Sequence, residues 1–167
     1  PSMGKTAVAL SMSLDAARRG DGVVISSMEM TPDSLALRAI SNEAAKSGKG
    51  MPYTDAKRGS MNEGQAEAFF RTAPAVADLP IAILPSNMRD MGAIYSGVKK
   101  AKRLLEARGS ELKLVVVDYL QLISPSKSAM GRTQQITEIS IALKGLAMRL
   151  SVPVLALSQL SRALESR

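Results

Sequence analysis

The sequence predicts an α/β fold, a mainly parallel sheet with helices flanking it. Three observations predict it. A Gly-Lys-Thr triplet, Gly4–Thr6, runs straight into an Ala/Val/Leu segment, the back half of a phosphate-binding loop, G-x-x-x-x-G-K-[ST]. Short apolar runs alternate with longer segments of helical character, which implies right-handed βαβ units. The run Leu112–Asp118 has a β-branched core that does not alternate with polar residues, the mark of a parallel strand covered on both faces.

Bulk composition narrows the classes. At 167 residues the chain suits one domain with a real core, built from aliphatic side chains because apolar residues make up 46% and aromatic residues 3%. There is no Cys and no His, which excludes disulfides, Cys or imidazole metal sites and Ser-His or Cys-His catalysis, and suits a cytosolic protein. No apolar run approaches the length of a membrane span, and no signal peptide is visible. The formal charge of +7 fits a polyanionic partner such as nucleic acid or nucleotide, and equally fits a merely solubilising excess of Lys and Arg. That excess is scattered, without the aromatic interleaving of a single-strand stacking platform.

In order, a helix is expected from Gly4 to Arg19, stopped at Arg18-Arg19-Gly20-Asp21-Gly22, then a buried strand Gly22–Ser27 ending in Ser27-Met28-Glu29-Met30. Thr31 caps the next helix, with Pro32 at its first position, running to about Lys46. The polar, Gly-rich stretch 47–62 reads as mostly loop. A helix over Glu63–Ala75 and a strand over Leu79–Leu84 follow. Asp90 to Arg108 carries Ile94, Val98, Ala101, Leu104 and Leu105 on one helix face. Lys99, Lys100, Lys102 and Arg103 lie off that stripe, either as a phosphate-contacting ridge or as a solvated face. After the strand Leu112–Asp118 comes a loop, Ser124 to Arg132, then a helix Thr133–Leu150 and a last strand Val152–Leu157 reaching Ser158 and Gln159.

Ligands bind such sheets at the carboxyl ends of the strands. Here those ends are Glu29, Asp118 and Gln159, and the strand expected before Lys5 and Thr6 would end there too. Hydrolysis of a nucleoside triphosphate needs a phosphate cradle, a metal, an oriented water and charge neutralisation. Gly4 and Lys5 supply part of a cradle, at a helix N-terminus that itself attracts anions. Thr6 and Asp118 fit Mg²⁺ ligation, Glu29 fits a base for the attacking water, and Gln159 fits a γ-phosphate sensor. Each residue alone has a plainer use: Asp118 as a turn cap, Glu29 as a solvated carboxylate. Their joint placement after a Gly-Lys-Thr favours nucleotide binding.

Five strings in sequence order, Pro1-Ser2-Met3-Gly4-Lys5-Thr6, Ser27-Met28-Glu29-Met30, Asp118-Tyr119-Leu120-Gln121-Leu122, Glu138-Ile139-Ser140 and the stretch from Val152 to Ser158-Gln159-Leu160-Ser161-Arg162, resemble the replicative DNA helicases of the DnaB family. The likeness covers essentially the whole chain and is weakest over residues 47–75. It implies a RecA-like P-loop NTPase fold and the motor domain of a hexameric helicase that hydrolyses ATP with Mg²⁺ to move on single-stranded DNA. It implies nucleotide contacts at Ser2, Met3, Gly4, Lys5, Thr6 and Ala7, catalytic roles for Lys5, Glu29 and Gln159, and a metal held by Thr6 and by Asp118, the latter either directly or through an intervening ligand. The loop carrying Lys127 and Arg132 would face DNA in the central channel. Expected partners are single-stranded DNA, further copies of the chain in a homohexameric ring, a primase and a helicase loader, in a bacterial cytoplasm or a phage-infected one, with no membrane.

Set against that family, residues 1–167 are expected to be a partial RecA-like domain. The first strand, the front half of the phosphate loop, the last strands and the arginine finger would fall outside them, and a missing finger alone costs about 10³–10⁵ in rate. The parent protein is therefore expected to be the ATPase, and these residues alone to be weakly active or inactive. The alternatives are a RecA-type recombinase or repair ATPase, a non-catalytic protein-interaction module, and a plain nucleic-acid-binding domain.

Overall fold

Helix and strand alternate along the chain, as the sequence pattern requires. A computed structural model describes residues 4–46, 50–124 and 131–159. Helix α1 spans Lys5–Arg18, strand β1 Gly22–Ser27, α2 Pro32–Lys46, α3 Tyr53–Arg58, α4 Glu63–Ala77, β2 Ile81–Ile83, α5 Met91–Ala107 and β3 Leu112–Asp118. A 3₁₀ turn, Leu120–Leu122, precedes α6, Arg132–Leu150, and β4, Val154–Ala156. The strands pair in the order β2-β1-β3-β4, all parallel.

The central pair sets the frame. Every residue of β1 is buried, as are Val115 to Asp118 of β3, so no position is left for the polar alternation of a one-sided strand. Pleating sends alternate residues to opposite cores. Val115 and Val117 join Val24 beneath α5 and α6, packed on Ile94, Val98, Leu105, Ile139, Leu143 and Leu146. Val116 joins Val23 and Ile25 on the other face, against Leu10, Leu14 and Ala17 of α1 and Leu35 and Ala39 of α2. A smaller cluster, Ile40, Ala44, Met51 and Ala68, ties α2 to α4.

Helix starts follow local chemistry. Thr31 Oγ1 accepts the Ser34 N–H at 3.3 Å, Asp90 Oδ1 accepts the Ala93 N–H at 2.8 Å, and Asn62 with Gln65 forms a reciprocal capping box at 2.9 and 2.8 Å. Outside the core, α1 is clasped to α2 by Arg18, which pairs with both Asp15 and Glu43. Among the described residues no helix is long and apolar enough to cross a membrane.

Within residues 47–62, expected to be mostly loop, the structure adds one short helix, α3. None of its six residues is fully buried and only Ala56 packs on the Ile40–Ala68 cluster, so no periodic stripe announces it. It is held from its flanks instead. Met51 is buried, Arg38 stacks 4.7 Å over the Tyr53 ring, Asp55 Oδ2 accepts Gln65 Nε2 at 3.1 Å, and Gly59 closes the helix at φ 68°. Strands β2 and β4 are shorter than expected, yet ladder bonds continue beyond them: Leu84 N–H to Ile25 O at 2.8 Å and Leu157 N–H to Val117 O at 2.9 Å.

Leu14 is fully buried between α1 and the sheet. Leu14→Ala is expected to destabilise the protein by about 2–5 kcal/mol, the range for emptying a well-packed leucine site, measured by urea denaturation followed by circular dichroism.

Candidate functional site

The sheet's carboxyl edge assembles the site from four segments. The first is the start of α1. Gly4 caps it in the left-handed region, φ 73° and ψ 7°. A Cβ there would meet no atom within 4 Å, so the demand for glycine is conformational rather than steric. The unpaired N–H groups of the first turn, with the helix dipole behind them, favour an anion at this end. Lys5 and Thr6 follow directly.

The second segment follows β1. Register sets Ser27 beside Asp118, and the Met28 N–H donates to Asp118 O at 2.8 Å, extending the ladder one step. Met28 is buried, and Ser27 Oγ accepts the Met30 N–H at 3.1 Å. This tight turn leaves Glu29 exposed at the sheet edge.

The third segment ends β3. Asp118 is only 2% exposed, and its Oδ2 accepts the Thr6 hydroxyl at 2.7 Å. Its Oδ1 is buried and accepts no hydrogen bond from the described residues. A buried carboxylate oxygen without a partner is costly. The Thr6 hydroxyl and the Asp118 carboxylate are hard oxygen donors, and Mg²⁺ is typically held by one or two carboxylates together with substrate phosphates. Asp118 also borders a small void of about 10 Å³ with Thr6 and Ser13.

The fourth segment follows β4. Ser158 O accepts Lys5 Nζ at 3.1 Å, and that ammonium lies 5.6 Å from the centre of the Tyr119 ring. Gln159 is exposed at the same edge.

These segments enclose a cleft of about 120 Å³ lined by Gly4, Lys5, Thr6, Ala7, Glu29, Arg38 and Gln159. The structure therefore brings together the sequence candidates Gly4, Lys5, Thr6, Ala7, Glu29 and Gln159. Asp118 does not line the cleft and reaches it through Thr6. Ser2, Met3 and Lys127 lie outside the described residues. Arg132 opens α6.

Two residues escape sequence reasoning. Arg38 lines the cleft from the body of α2, far from any strand end. Gln121, in the 3₁₀ turn, bonds to both Ser158 and Gln159. The only available signal for Gln121 was its place in the Asp118-Tyr119-Leu120-Gln121-Leu122 string, which says nothing of its partner.

Fold and site together define a RecA-like α/β domain of the phosphate-loop class. The model of the DnaB-like helicase C-terminal domain family matches residues 1–167, and the chain belongs to that family. It is 34% identical over 167 residues to the replicative DNA helicase DnaB of Helicobacter pylori (strain ATCC 700392 / 26695), covering 100% of this chain and 32% of that relative. The chain thus spans about a third of the length of this relative. Among solved structures, a DnaB-like replicative helicase, described with its interactions with primase, superposes with a TM-score of 0.83 at 32% identity, over 100% of this chain and 39% of that one. A second solved structure, described as an ATPase domain, superposes at 0.84 and 32% identity, over 100% of this chain and 57% of that one.

Thr6→Val removes the donor to Asp118 Oδ2 and leaves both carboxylate oxygens unpaired. It is expected to lower stability by about 1–3 kcal/mol, the cost of an orphaned buried polar group. Asp118→Asn, which removes the buried charge but keeps an acceptor for Thr6, is expected to leave stability unchanged or raise it. Thermal denaturation without nucleotide or Mg²⁺ checks both.

Proposed function

We propose that this chain is the ATP-hydrolysing motor domain of a replicative DNA helicase, acting in a homohexameric ring that moves along single-stranded DNA and unwinds duplex. The observation that carries the proposal is the convergence of Lys5, Thr6, Glu29 and Gln159 on one cleft, with buried Asp118 bonded behind Thr6. Membership of the family supplies the reaction class.

In this reading the triphosphate lies across the N-terminus of α1, with Gly4 to Ala7 against it and Lys5 on the β- and γ-phosphates. Ser2 and Met3, just ahead of Gly4 in the sequence, would add further contacts to the nucleotide. Thr6 and Asp118 would hold Mg²⁺, which when bound neutralises charge on the phosphate oxygens. Glu29, exposed at the cleft, takes the proton of the attacking water. Gln159 contacts the γ-phosphate and carries its presence or loss into the chain that follows β4. Among the described residues that line the cleft, Lys5 and Arg38 set two cations against the Glu29 carboxylate, a balance that suits a polyanionic substrate.

The partners follow from the family. Single-stranded DNA would pass the loop that contains Lys127 and leads into Arg132. Further copies of the chain would complete each site across the ring, and a primase and a helicase loader would dock on the assembly. A bacterial cytoplasm, or a phage-infected one, is the corresponding location.

Two substitutions separate binding from chemistry. Lys5→Ala is expected to abolish Mg-ATP binding in isothermal titration calorimetry. Glu29→Gln is expected to keep binding and lose roughly 10²–10⁴ in turnover, the usual worth of a general base. ATP hydrolysis and strand separation at wild-type rates in both variants would refute this site, whereas a wild-type protein that neither binds nor hydrolyses Mg-ATP would leave a non-catalytic module.

A further inference from the structure

One side chain stitches the cleft's edge together and has no part in the roles above. Gln121 sits in the 3₁₀ turn just after Asp118. Its carboxamide pairs with the main chain of Gln159 as a neighbouring strand would. Nε2 donates to Gln159 O at 2.9 Å, and Oε1 accepts the Gln159 N–H at 3.2 Å. Nε2 also donates to Ser158 Oγ at 2.9 Å. The Ser158 carbonyl in turn accepts Lys5 Nζ. Just upstream, the Leu120 N–H donates to Leu157 O at 3.0 Å, so the turn and the chain leaving β4 run side by side.

We infer that Gln121 is a positioning residue for the nucleotide site, locating Gln159 directly and Lys5 through the Ser158 carbonyl. The chemistry is specific to a carboxamide, which presents an acceptor and two donors in one plane. It can therefore satisfy the N–H and the C=O of one extended residue together. β4 ends at Ala156, so residues 158 and 159 lie beyond its regular ladder and take their placement from this amide. Lys5 benefits at second hand. An ammonium has three donors, and committing one to Ser158 O aims the remaining two. Because the same amide springs from the turn after Asp118, the metal-side and sensor-side strands meet the cleft in a fixed relation. A displacement of about 1 Å in such a group can cost on the order of 10²-fold in rate.

The inference rests on the roles proposed for Lys5 and Gln159, and the experiment tells its failure from theirs. In the full-length protein, steady-state ATP hydrolysis is measured for Gln121→Ala, Gln121→Glu, Gln159→Ala, the Gln121→Ala/Gln159→Ala pair and Lys5→Ala. Gln121→Glu keeps the size and the acceptor and loses both donors, so it serves if the alanine variant does not fold. Expected are a fall in kcat of about 10²-fold for Gln121→Ala, a smaller change in KM, and a fall in kcat for Gln121→Glu at an unchanged melting temperature. The paired variant should lose at least about tenfold less than the product of the separate losses, as residues acting as one unit do. Gln121 variants within about twofold of wild type, or losses that multiply in full, overturn the inference. If Lys5→Ala is inactive in that case, the site assignment stands. If Lys5→Ala hydrolyses ATP normally, the site assignment falls and the inference falls with it.

Discussion

The hydrogen bond from Thr6 to buried Asp118, 2.7 Å long, is the contact on which the rest of the site depends. It joins the first turn of α1 to the end of β3. Leu10, Leu14 and Ala17 hold the body of α1 against Val23, Ile25 and Val116, but apolar packing is non-directional and would tolerate small slides of the helix. The hydroxyl–carboxylate bond does not, because its strength falls steeply with distance and angle. Asp118 also carries an oxygen with no partner among the described residues. A fold optimised for stability alone would have avoided that cost, and the cation proposed for this site would offset it.

The two-sided burial of β1 and β3 decides where the chemistry falls. A parallel strand covered on both faces has no polar side to offer, so polar groups gather where the strands stop. The pairing of Ser27 with Asp118 and of Val117 with Ala156 brings those stops to one edge. Glu29, Asp118 and Gln159 arrive there from three strands, and α1 starts there with Gly4 in a left-handed conformation. The cleft is a consequence of register as much as of its residues.

That edge was legible in the sequence because its signals are local. The unbroken apolar run of β3, the glycine before Lys5 and the carboxylate or amide after β1, β3 and β4 each show within a few consecutive residues. The elements with their own periodicity, α5 and α6 above all, match the expected spans to within a residue or two. What stayed hidden depends on contacts distant in sequence. Helix α3 has no fully buried residue of its own and stands because Met51, Tyr53 and Ala56 find partners on α2 and α4. Arg38 reaches the cleft from the body of a helix, and Gln121 finds its partners 37 and 38 residues away. No spacing within the chain encodes either meeting.

Whether this cleft holds the triphosphate and its metal is tested most directly by a structure of the protein with Mg²⁺ and a non-hydrolysable ATP analogue. Density for the β- and γ-phosphates is expected between Lys5 and the first turn of α1, with a metal ligated by Thr6 and Asp118. Nucleotide bound elsewhere, for instance in the groove between α5 and α6 lined by Met91, Tyr95 and Leu146, with the Lys5 cleft empty, would contradict the assignment.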